Sequence, residues 1–470
     1  MLKYAERLGL LMDDITRLYE KDCVKIGLFG VGRSTVGALE YLLKAFKFKE
    51  ISVTVRCDEE VPRYSLPIGL KNCRLMCGRA ACERINEDLI ILSPSVRGDR
   101  PELTEAKKKG TVITSDAEIF FAANGFPVLA VTGSDGKSTT SKIAHALLGG
   151  DESGARLCGN IGAAMSPLLL DKRGKIFVTE LSSFMLNSFS PKVTRGTVTN
   201  ITPNHLNWHT SLTEYVLAKE NILKNAAERV LWADGDISEM LIRKYAPDTV
   251  ISYDKGYKEL MSYVQAKSYV TKDCSRVLVN GEEYCNIGKL ERLGEHTVRN
   301  FMNALGLTIG YTDKTCAQSV ADGYEPLPHR CESVGVYRGV EYINSSIDST
   351  PLRTATTLNS LKREVTLILC GRGKGLSYAP LEEPLKRYVK RIVVCGEIRG
   401  EVLEFLNKIG IDSKTVYTAD SFKECVRVAA RITESGTVLF SPSATSFDEF
   451  KSFEERGDAF KRYIKERNGT

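Results

Sequence analysis

The stretch FPVLAVTGSDGKSTTSKIAHALL, residues 126–148, decides the fold of this chain. An apolar run from Val128 to Val131 leads into a glycine-containing segment from Gly133 to Ser138. Ile143 and Leu147 follow at helical spacing. The pattern predicts a buried strand, a tight loop and an amphipathic helix, in that order. Glycines let backbone N–H groups turn toward an anion, and a helix N-terminus adds partial positive charge. The segment is therefore predicted to bind phosphate.

Two side chains of this loop suit a nucleoside triphosphate. Lys137 can neutralise the charge of the β- and γ-phosphates, and the Ser138 hydroxyl can ligate magnesium. The common phosphate-loop pattern has a glycine five positions before the Gly-Lys pair. This chain has Val131 there, so a shorter TGxxGKS loop remains. The alternative is a glycine turn that binds nothing, but the order of strand, loop, Lys-Ser and helix favours phosphate binding.

Apolar runs alternate with helical patterns on both sides of this segment. Continuous apolar strands between helices predict an α/β fold whose parallel sheets are covered on both faces. The runs are KIGLFG, DLIILSP, VLAVTG, IFVTEL, TVTNIT, VTLILCG, RIVVCG and TVLFSP.

The length of 470 residues predicts several domains, because a single core stops growing at roughly 250–300 residues. One boundary is expected near Asp116. Another is expected near Pro326–Pro328, where two prolines would break a helix. The predicted domains are residues 1–116, 117–326 and 327–470.

Composition limits the class of protein. Hydrophobic residues make up 43% and charged residues 26%, which is typical of a soluble globular chain. The net charge of +6 does not suggest a nucleic-acid platform. The 13 cysteines include no CxxC pair, so neither a zinc site nor a disulfide framework is expected. Cys158, Cys370 and Cys395 lie in or beside apolar runs and are interpreted as core thiols in a reducing compartment.

The N-terminus is predicted to be a packed helix rather than a targeting signal. Acidic residues interrupt its apolar stretch, and Leu11, Ile15 and Leu18 fall at helical spacing. No apolar run reaches the roughly 18 residues needed to span a bilayer. A cytoplasmic protein that binds no membrane is expected.

Further motifs follow the phosphate loop in a fixed order. They are CGNIG with Asn160, TELSSF with Glu180, NHLNWH with His205, and a helix bearing Lys219 that begins with the capping-box residues Ser211 and Glu214. Together with TGSDGKST they resemble the Mur ligases, the family that builds the peptidoglycan stem peptide. The resemblance is strongest from about Asp88 onward. It is closest to the members that add D-glutamate to UDP-N-acetylmuramoyl-L-alanine.

The resemblance implies three domains, with Rossmann-like N- and C-terminal domains and a central sheet of the P-loop ATPase type. It implies ATP and Mg2+, and a carboxylate that is phosphorylated before an amine attacks it. The implied catalytic residues are Lys137, Glu180, His205 and Lys219. The implied magnesium ligands are Ser138, Glu180, His205 and Lys219, the last carrying a carbamate derived from carbon dioxide.

The resemblance also implies the substrate contacts. Those to ATP are Gly133, Ser134, Asp135, Gly136, Lys137, Ser138, Thr139, Asn300 and Arg330. Those to the UDP substrate are Ser34, Thr35, Ser95 and Asn160, with Arg56 and Asp58 near the uracil. Those to D-glutamate are Lys374, Ser446 and Phe453. The expected partners are these small molecules alone, and the expected state is a monomer.

The chain departs from the family pattern at a few positions. Thr297 and Ser345 replace an asparagine and an aspartate, and Ile347 replaces a lysine, although Asp348 could compensate. Three alternatives stay open. The chain could be a Mur ligase for another amino acid, a folylpolyglutamate synthetase, or a catalytically silent nucleotide-binding partner protein.

Overall fold

The computed structural model describes residues 2–57, 73–171, 173–202, 208–325, 328–373 and 375–468. The chain divides into two compact units. The first unit comprises Met1–Arg292 with His296–Gly323, and the second comprises Leu293–Glu295 with Tyr324–Thr470. In the described part, the first unit carries two sheets and the second carries one.

The first sheet is parallel throughout, with strand order β3-β2-β1-β4-β5. Its strands are β1 (Cys23–Phe29), β2 (Glu50–Cys57), β3 (Cys73–Cys77), β4 (Leu89–Leu92) and β5 (Val112–Ser115). Its helices are α1 (Leu2–Arg17), α2 (Arg33–Ala45), α3 (Pro101–Lys108) and α4 (Asp116–Ala123). The strand order is Rossmann-like, because the sheet grows outward in both directions from β1.

Helix α4 explains why the first two sheets share one compact unit. Ile119 packs into the core of the first sheet, whereas Phe120 and Phe121 pack into the core of the second. The Ser115 hydroxyl caps the helix by accepting from the Glu118 N–H. One short helix therefore buries side chains on both sheets.

The second sheet has the order β14-β13-β12-β11-β10-β9-β6-β8-β7, and it is parallel except for the hairpin edge β12-β13-β14. Its strands are β6 (Val128–Thr132), β7 (Ala155–Gly159), β8 (Ile176–Glu180), β9 (Val193–Val198), β10 (Ala226–Trp232), β11 (Thr249–Ser252), β12 (Ser268–Asp273), β13 (Arg276–Val279) and β14 (Glu282–Asn286). Its helices are α5 (Lys137–Leu147), α6 (Ser183–Leu186), α7 (Leu212–Lys224), α8 (Asp236–Tyr245), α9 (Tyr257–Tyr263), α10 (Gly288–Arg292), α11 (Glu295–Thr308) and α12 (Lys314–Gly323). Every residue of β6 is buried, as expected for a strand covered on both faces.

The third sheet has the order β15-β16-β20-β17-β18-β19, and only the β15–β16 pair is antiparallel among its described strands. Its strands are β15 (Glu332–Tyr337), β16 (Val340–Asn344), β17 (Val365–Cys370), β18 (Val389–Val394), β19 (Val416–Thr418) and β20 (Gly436–Ser443). Its helices are α13 (Pro351–Leu361), α14 (Glu382–Tyr388), α15 (Arg399–Lys408), α16 (Phe422–Ile432) and α17 (Phe453–Asn468). Separate apolar clusters cover its two faces.

The α/β prediction with three largely parallel sheets is confirmed. The N-terminal helix buries Leu11 and Ile15, and Cys158 and Cys370 are core thiols as predicted. One predicted strand is displaced, because β9 ends at Val198 and the TNIT of TVTNIT belongs to the following loop. Among the described residues, none of the helices combines the length and apolar character that a bilayer crossing requires.

Candidate active site

The loop between β6 and α5 has a backbone that only glycine allows at two positions. Gly133 has φ +147° and Gly136 has φ +79°. A Cβ on Gly133 would collide with the Thr199 hydroxyl, and one on Gly136 would collide with the Asn300 amide. These glycines let the backbone pass close to its neighbours and present the N-terminus of α5 at the end of the loop.

The segment after β9 fixes this loop through several hydrogen bonds. The Thr202 N–H donates to the Ser134 hydroxyl at 2.8 Å, and the Asp135 N–H donates to Asn200 Oδ1 at 2.9 Å. The Thr199 hydroxyl donates to the Asp135 carbonyl at 2.6 Å. The loop is therefore held in shape before any ligand arrives. Sequence reasoning missed these partners, which lie some sixty positions away.

Glu180 is a fully buried carboxylate beside the loop. It ends β8, where its backbone pairs in register with Val131 of β6. Asn160 Nδ2 donates to Glu180 Oε1 at 2.7 Å, whereas Oε2 has no hydrogen-bond partner among the described residues. A buried carboxylate oxygen without a partner is costly, and a bound metal ion would satisfy it. The observed geometry fits the magnesium ligand that the family resemblance implies.

Lys219 is a buried amine that points at the same loop. Its side chain is 1% exposed, Nζ donates to the Gly133 carbonyl at 2.5 Å, and Nζ lies 4.5 Å from the centre of the Tyr215 ring. Burial holds the pKa of Lys219 well below its ordinary value, and the nearby Lys137 cation lowers it further. Asp135 and Glu180 oppose this shift. A lysine with a lowered pKa supplies the neutral amine that attack on carbon dioxide requires.

Helix α7, which carries Lys219, begins much as the sequence predicts. The Ser211 hydroxyl accepts from the Glu214 N–H at 3.1 Å, which is the predicted cap. The Glu214 carboxylate does not complete a capping box with Ser211. It accepts from the N–H and hydroxyl of Thr210 and pairs with Arg97 at 3.0 Å. These contacts hold the pKa of Glu214 at about 2, so it stays ionised at neutral pH.

His209 is a core residue next to this helix. Its Nε2 lies 3.0 Å from the Ser183 hydroxyl, and its ring packs against Phe184 and Trp208. Nδ1 has no hydrogen-bond partner in the described part of the chain, and burial lowers the pKa of this histidine. Neutral imidazole is the form that such a site favours.

His205 lies outside the described residues, so its predicted role as a metal ligand stays a prediction. Within the described ranges, no three His, Cys, Asp or Glu side chains come together as a group that could hold a metal ion. The remaining predicted ligands are Ser138, which lies in the first turn of α5, Glu180 and Lys219.

The predicted nucleotide contact Asn300 lies on α11 and reaches the phosphate loop. Its Oδ1 accepts from the Thr140 hydroxyl at 3.4 Å, and it fills the space beside Gly136. Thr297, one turn earlier, is 4% exposed and packs inward. The predicted loop residues and Asn300 therefore come together in the first unit.

Of the residues predicted to contact the UDP substrate, Asn160 follows β7 of the second sheet, and the others lie near the carboxyl edge of the first sheet. Ser34 lines a cavity of about 240 Å³ together with Ser93 and Trp208. Ser95 is exposed, and its carbonyl accepts from the Trp208 indole N–H at 2.9 Å. Thr35 is buried, and its hydroxyl accepts from the Gly32 N–H at the start of α2. The Thr35 hydroxyl therefore stabilises the loop between β1 and α2 through this hydrogen bond.

The expectation that Arg56 lies near the uracil stays a prediction, and the guanidinium of Arg56 already has partners within the protein. Its guanidinium is 1% exposed and donates to both carboxylate oxygens of Glu87 at 2.9 and 3.0 Å. It also donates to the carbonyls of Ala81 and Glu83. A cation with these bonds is a structural element of the first sheet. Asp58 lies outside the described residues.

The second unit carries the described residues predicted for D-glutamate. Ser446 is buried, and the Phe453 ring, which begins α17, lies 6.3 Å edge-to-face from the His329 ring. Arg330 directly follows His329 and is half-buried. Lys374 lies outside the described residues. The carboxylate of Asp348 accepts from the hydroxyls of Thr357 and Ser441. Both partners of this carboxylate belong to the second unit.

The chain is similar to known proteins along nearly all of its length. Residues 131–308 match the Mur ligase middle domain. The chain is 32% identical over 455 residues to the UDP-N-acetylmuramoylalanine--D-glutamate ligase of Acetivibrio thermocellus, covering 94% of this chain and 96% of that protein. It is 31% identical over 447 residues to the ligase of the same name from Clostridium perfringens, covering 93% and 96%. Among solved structures, UDP-N-acetylmuramate-alanine ligase MurC of Thermotoga maritima matches with a TM-score of 0.59 at 19% identity, over 94% of this chain and 99% of that one.

Proposed function

Because this chain belongs to the Mur ligase family, we propose that it joins D-glutamate to UDP-N-acetylmuramoyl-L-alanine at the expense of ATP. Relatives that carry this activity in their names align with nearly the whole chain at about one-third identity. The substrates and ATP are cytoplasmic compounds, which supports a cytoplasmic reaction.

One observation in the structure carries the proposal. The buried Glu180, with an oxygen that lacks a described partner, and the buried Lys219 both lie against the glycine loop at the head of α5. Burial of the Glu180 carboxylate and the Lys219 amine beside the N-terminus of α5 costs free energy of folding. These two groups suit a site whose occupant is a metal–triphosphate complex.

The chemistry follows from the poor electrophilicity of a carboxylate. A carboxylate oxygen of the alanyl group attacks the γ-phosphorus of ATP, and the bond to ADP breaks. The amine nitrogen of D-glutamate then attacks the acyl carbon and gives up a proton. The carbon–oxygen bond to phosphate breaks, so the products are an amide, ADP and phosphate.

The loop would bind and orient the phosphates. Backbone N–H groups at the start of α5 and the Lys137 ammonium would neutralise charge on the β- and γ-phosphates. Magnesium, when bound, would offset the negative charge of the phosphates. Ser138, Glu180, His205 and a carbamylated Lys219 would hold it. Asn160 would face the reacting carboxylate beside Glu180, with Asn300 and Arg330 on the nucleotide.

The remaining assignments are extensions of the same proposal. Ser34, Thr35 and Ser95 are assigned to the UDP group. Lys374 and Ser446 are assigned to the side-chain carboxylate of D-glutamate, because a cation and a hydroxyl donor form a suitable receptor. Phe453 would pack beside them. The proposed domains are residues 1–116, 117–326 and 327–470.

Phosphate release tests the proposal. The purified protein is given ATP, Mg2+ and UDP-N-acetylmuramoyl-L-alanine with a panel of D- and L-amino acids. Release confined to D-glutamate supports the assignment. Release with L-lysine, or with a folate in place of the UDP substrate, would instead indicate another ligase. ATP binding without release from any combination would indicate a silent nucleotide-binding protein.

A further inference from the structure

Arg33 begins α2 on the loop that follows β1, and its side chain reaches a turn of the second sheet. Its guanidinium donates to three backbone carbonyls there: Gly162 at 2.6 Å, Asn160 at 3.0 Å and Gly159 at 3.1 Å. The planar guanidinium has five N–H donors in a fixed fork, which lets a single side chain bind several carbonyls at once. Arg33 therefore ties the turn Gly159–Gly162 to the first sheet through hydrogen bonds.

This turn carries Asn160, which contacts the buried Glu180 twice. Asn160 Nδ2 donates to Glu180 Oε1 at 2.7 Å, and the Asn160 N–H donates to the Glu180 carbonyl at 2.8 Å. Gly159 has φ +103°, and a Cβ there would collide with the same carbonyl. The turn therefore holds one carboxylate oxygen of Glu180 in a hydrogen bond, while the other has no described partner.

The far end of the same segment has a second anchor, whose hydrogen bonds do not include Arg33. The carboxylate of Asp116, at the start of α4, accepts from the backbone N–H groups of Met165 and Ser166 at 2.8 and 2.9 Å. Loss of Arg33 would therefore loosen the turn without detaching the segment. In the described hydrogen-bond network, the exposed Arg33 side chain makes no bond to a carboxylate. Its hydrogen bonds all go to the turn, and its charge also acts on Asp116, where it lowers the pKa of the carboxyl against the larger raising effect of burial.

We propose that Arg33 is a positioning residue of the ligase reaction, which holds the Gly159–Gly162 turn so that Asn160 keeps the Glu180 carboxylate oriented. This role rests on the proposed function. It also links the loop assigned to the UDP substrate with the carboxylate assigned to magnesium. Nothing in the sequence pattern indicates it, because the partners lie more than 120 positions apart.

The first experiment needs no substrate and no metal. Hydrogen exchange of the backbone amides of Gly159, Asn160 and Ala163 is compared in the wild type, Arg33→Ala, Arg33→Lys and Lys44→Ala. Lys44 is an exposed cation in the last turn of the same helix, so its variant is the matched control. We expect faster exchange in Arg33→Ala, an intermediate rate in Arg33→Lys and no change in Lys44→Ala. Unchanged exchange in Arg33→Ala would overturn the proposal.

The second experiment separates positioning from direct substrate binding. Removal of a group that orients a metal ligand weakens metal binding by about tenfold or more. We expect Arg33→Ala to need about tenfold more Mg2+ for half-maximal binding of a non-hydrolysable ATP analogue and for half-maximal turnover. The KM for the UDP substrate should change little, and Arg33→Lys should recover part of both losses.

Two outcomes contradict the role. A raised KM for the UDP substrate with an unchanged Mg2+ requirement would make Arg33 a direct phosphate contact. An equal loss of folded protein in Arg33→Ala and Arg33→Lys, with no shift in the Mg2+ requirement, would make it purely structural. If the wild type binds the ATP analogue with Mg2+ but releases no phosphate, the proposed function fails while the binding measurement still tests Arg33.

Discussion

A deeply buried cation in the first unit, Lys219, and one in the second unit, Arg456, have opposite surroundings. Lys219 in the first unit and Arg456 in the second are both 1% exposed, and burial lowers the pKa of each. The Arg456 guanidinium donates to the hydroxyl and carbonyl of Ser346 and to the carbonyls of Ala444 and Thr445. Among the described residues, Lys219 has one such bond, to the Gly133 carbonyl.

Under the proposed function, this difference separates a structural cation, Arg456, from a functional one, Lys219. Four hydrogen bonds compensate the desolvation of Arg456, which therefore contributes to the stability of the loop that follows β20. Lys219 faces Glu180, whose free oxygen has no described partner, and the neighbouring Lys137 cation opposes its charge. The protein itself supplies the partners of Arg456, whereas a bound ligand would supply those of Glu180 and Lys219 under the proposed function.

The largest expected effect is on turnover. Lys219→Ala should lower kcat by on the order of 10³-fold, because it removes a group at the point where phosphate charge develops. The thermal midpoint should stay level or rise, since a poorly compensated buried amine is lost. Lys224→Ala, on the same helix, is the control and should retain turnover. A steady-state phosphate-release assay measures both. Unchanged turnover in Lys219→Ala would remove this lysine from the site.

The matching change in the second unit should act on stability. Arg456→Met leaves several carbonyls without a donor and should lower the free energy of unfolding by about 3 kcal/mol. Urea denaturation followed by circular dichroism measures the loss. Arg462→Met, an exposed position on α17, is the control and should stay within about 0.5 kcal/mol of the wild type. Equal stabilities of the two variants would show that Arg456 is not a structural cation.

Glu180→Gln tests whether the buried carboxylate near Lys219 serves the reaction, as proposed for Lys219, or the fold, as proposed for Arg456. Glutamine keeps the shape and a contact for Asn160 but removes the negative charge. Turnover should fall by on the order of 10²-fold and the Mg2+ requirement should rise, whereas stability should not decrease. Glu152→Gln, at an exposed position, serves as the control. A large loss of stability in Glu180→Gln with normal turnover would assign Glu180 to the fold instead.

The smallest expected effect is the pH dependence of stability. The pKa of Lys219 is lowered from its ordinary value of 10.5, so the unfolded chain binds more protons than the folded one between the lowered pKa and pH 10.5. Stability conferred by this group therefore rises with pH in that window, by up to about 1.4 kcal/mol per pH unit. Lys219→Met should be more stable than the wild type at neutral pH, and its advantage should shrink as pH rises. A constant difference across the window would contradict the lowered pKa.

Local patterns in the sequence were sufficient for much of the site. The phosphate loop is contiguous, so Gly133, Gly136 and Lys137 could be predicted from spacing alone, and strand-end position together with family resemblance pointed to Glu180. Contacts between distant segments could not be predicted. The ion pair that occupies the Arg56 guanidinium is one example, because its partner Glu87 lies 31 positions away. The bonds of Arg33 and of Thr199 depend on how separate strands meet, which no local pattern encodes.

The fate of a single oxygen atom tests the central claim, that this site activates a carboxylate by phosphorylating it. UDP-N-acetylmuramoyl-L-alanine labelled with oxygen-18 in its carboxylate is turned over with ATP, Mg2+ and D-glutamate, and the released phosphate is examined by mass spectrometry. One labelled oxygen should appear in each phosphate, because the carbon–oxygen bond breaks when the amine attacks. Phosphate without label, released at the same rate as product, would contradict the account.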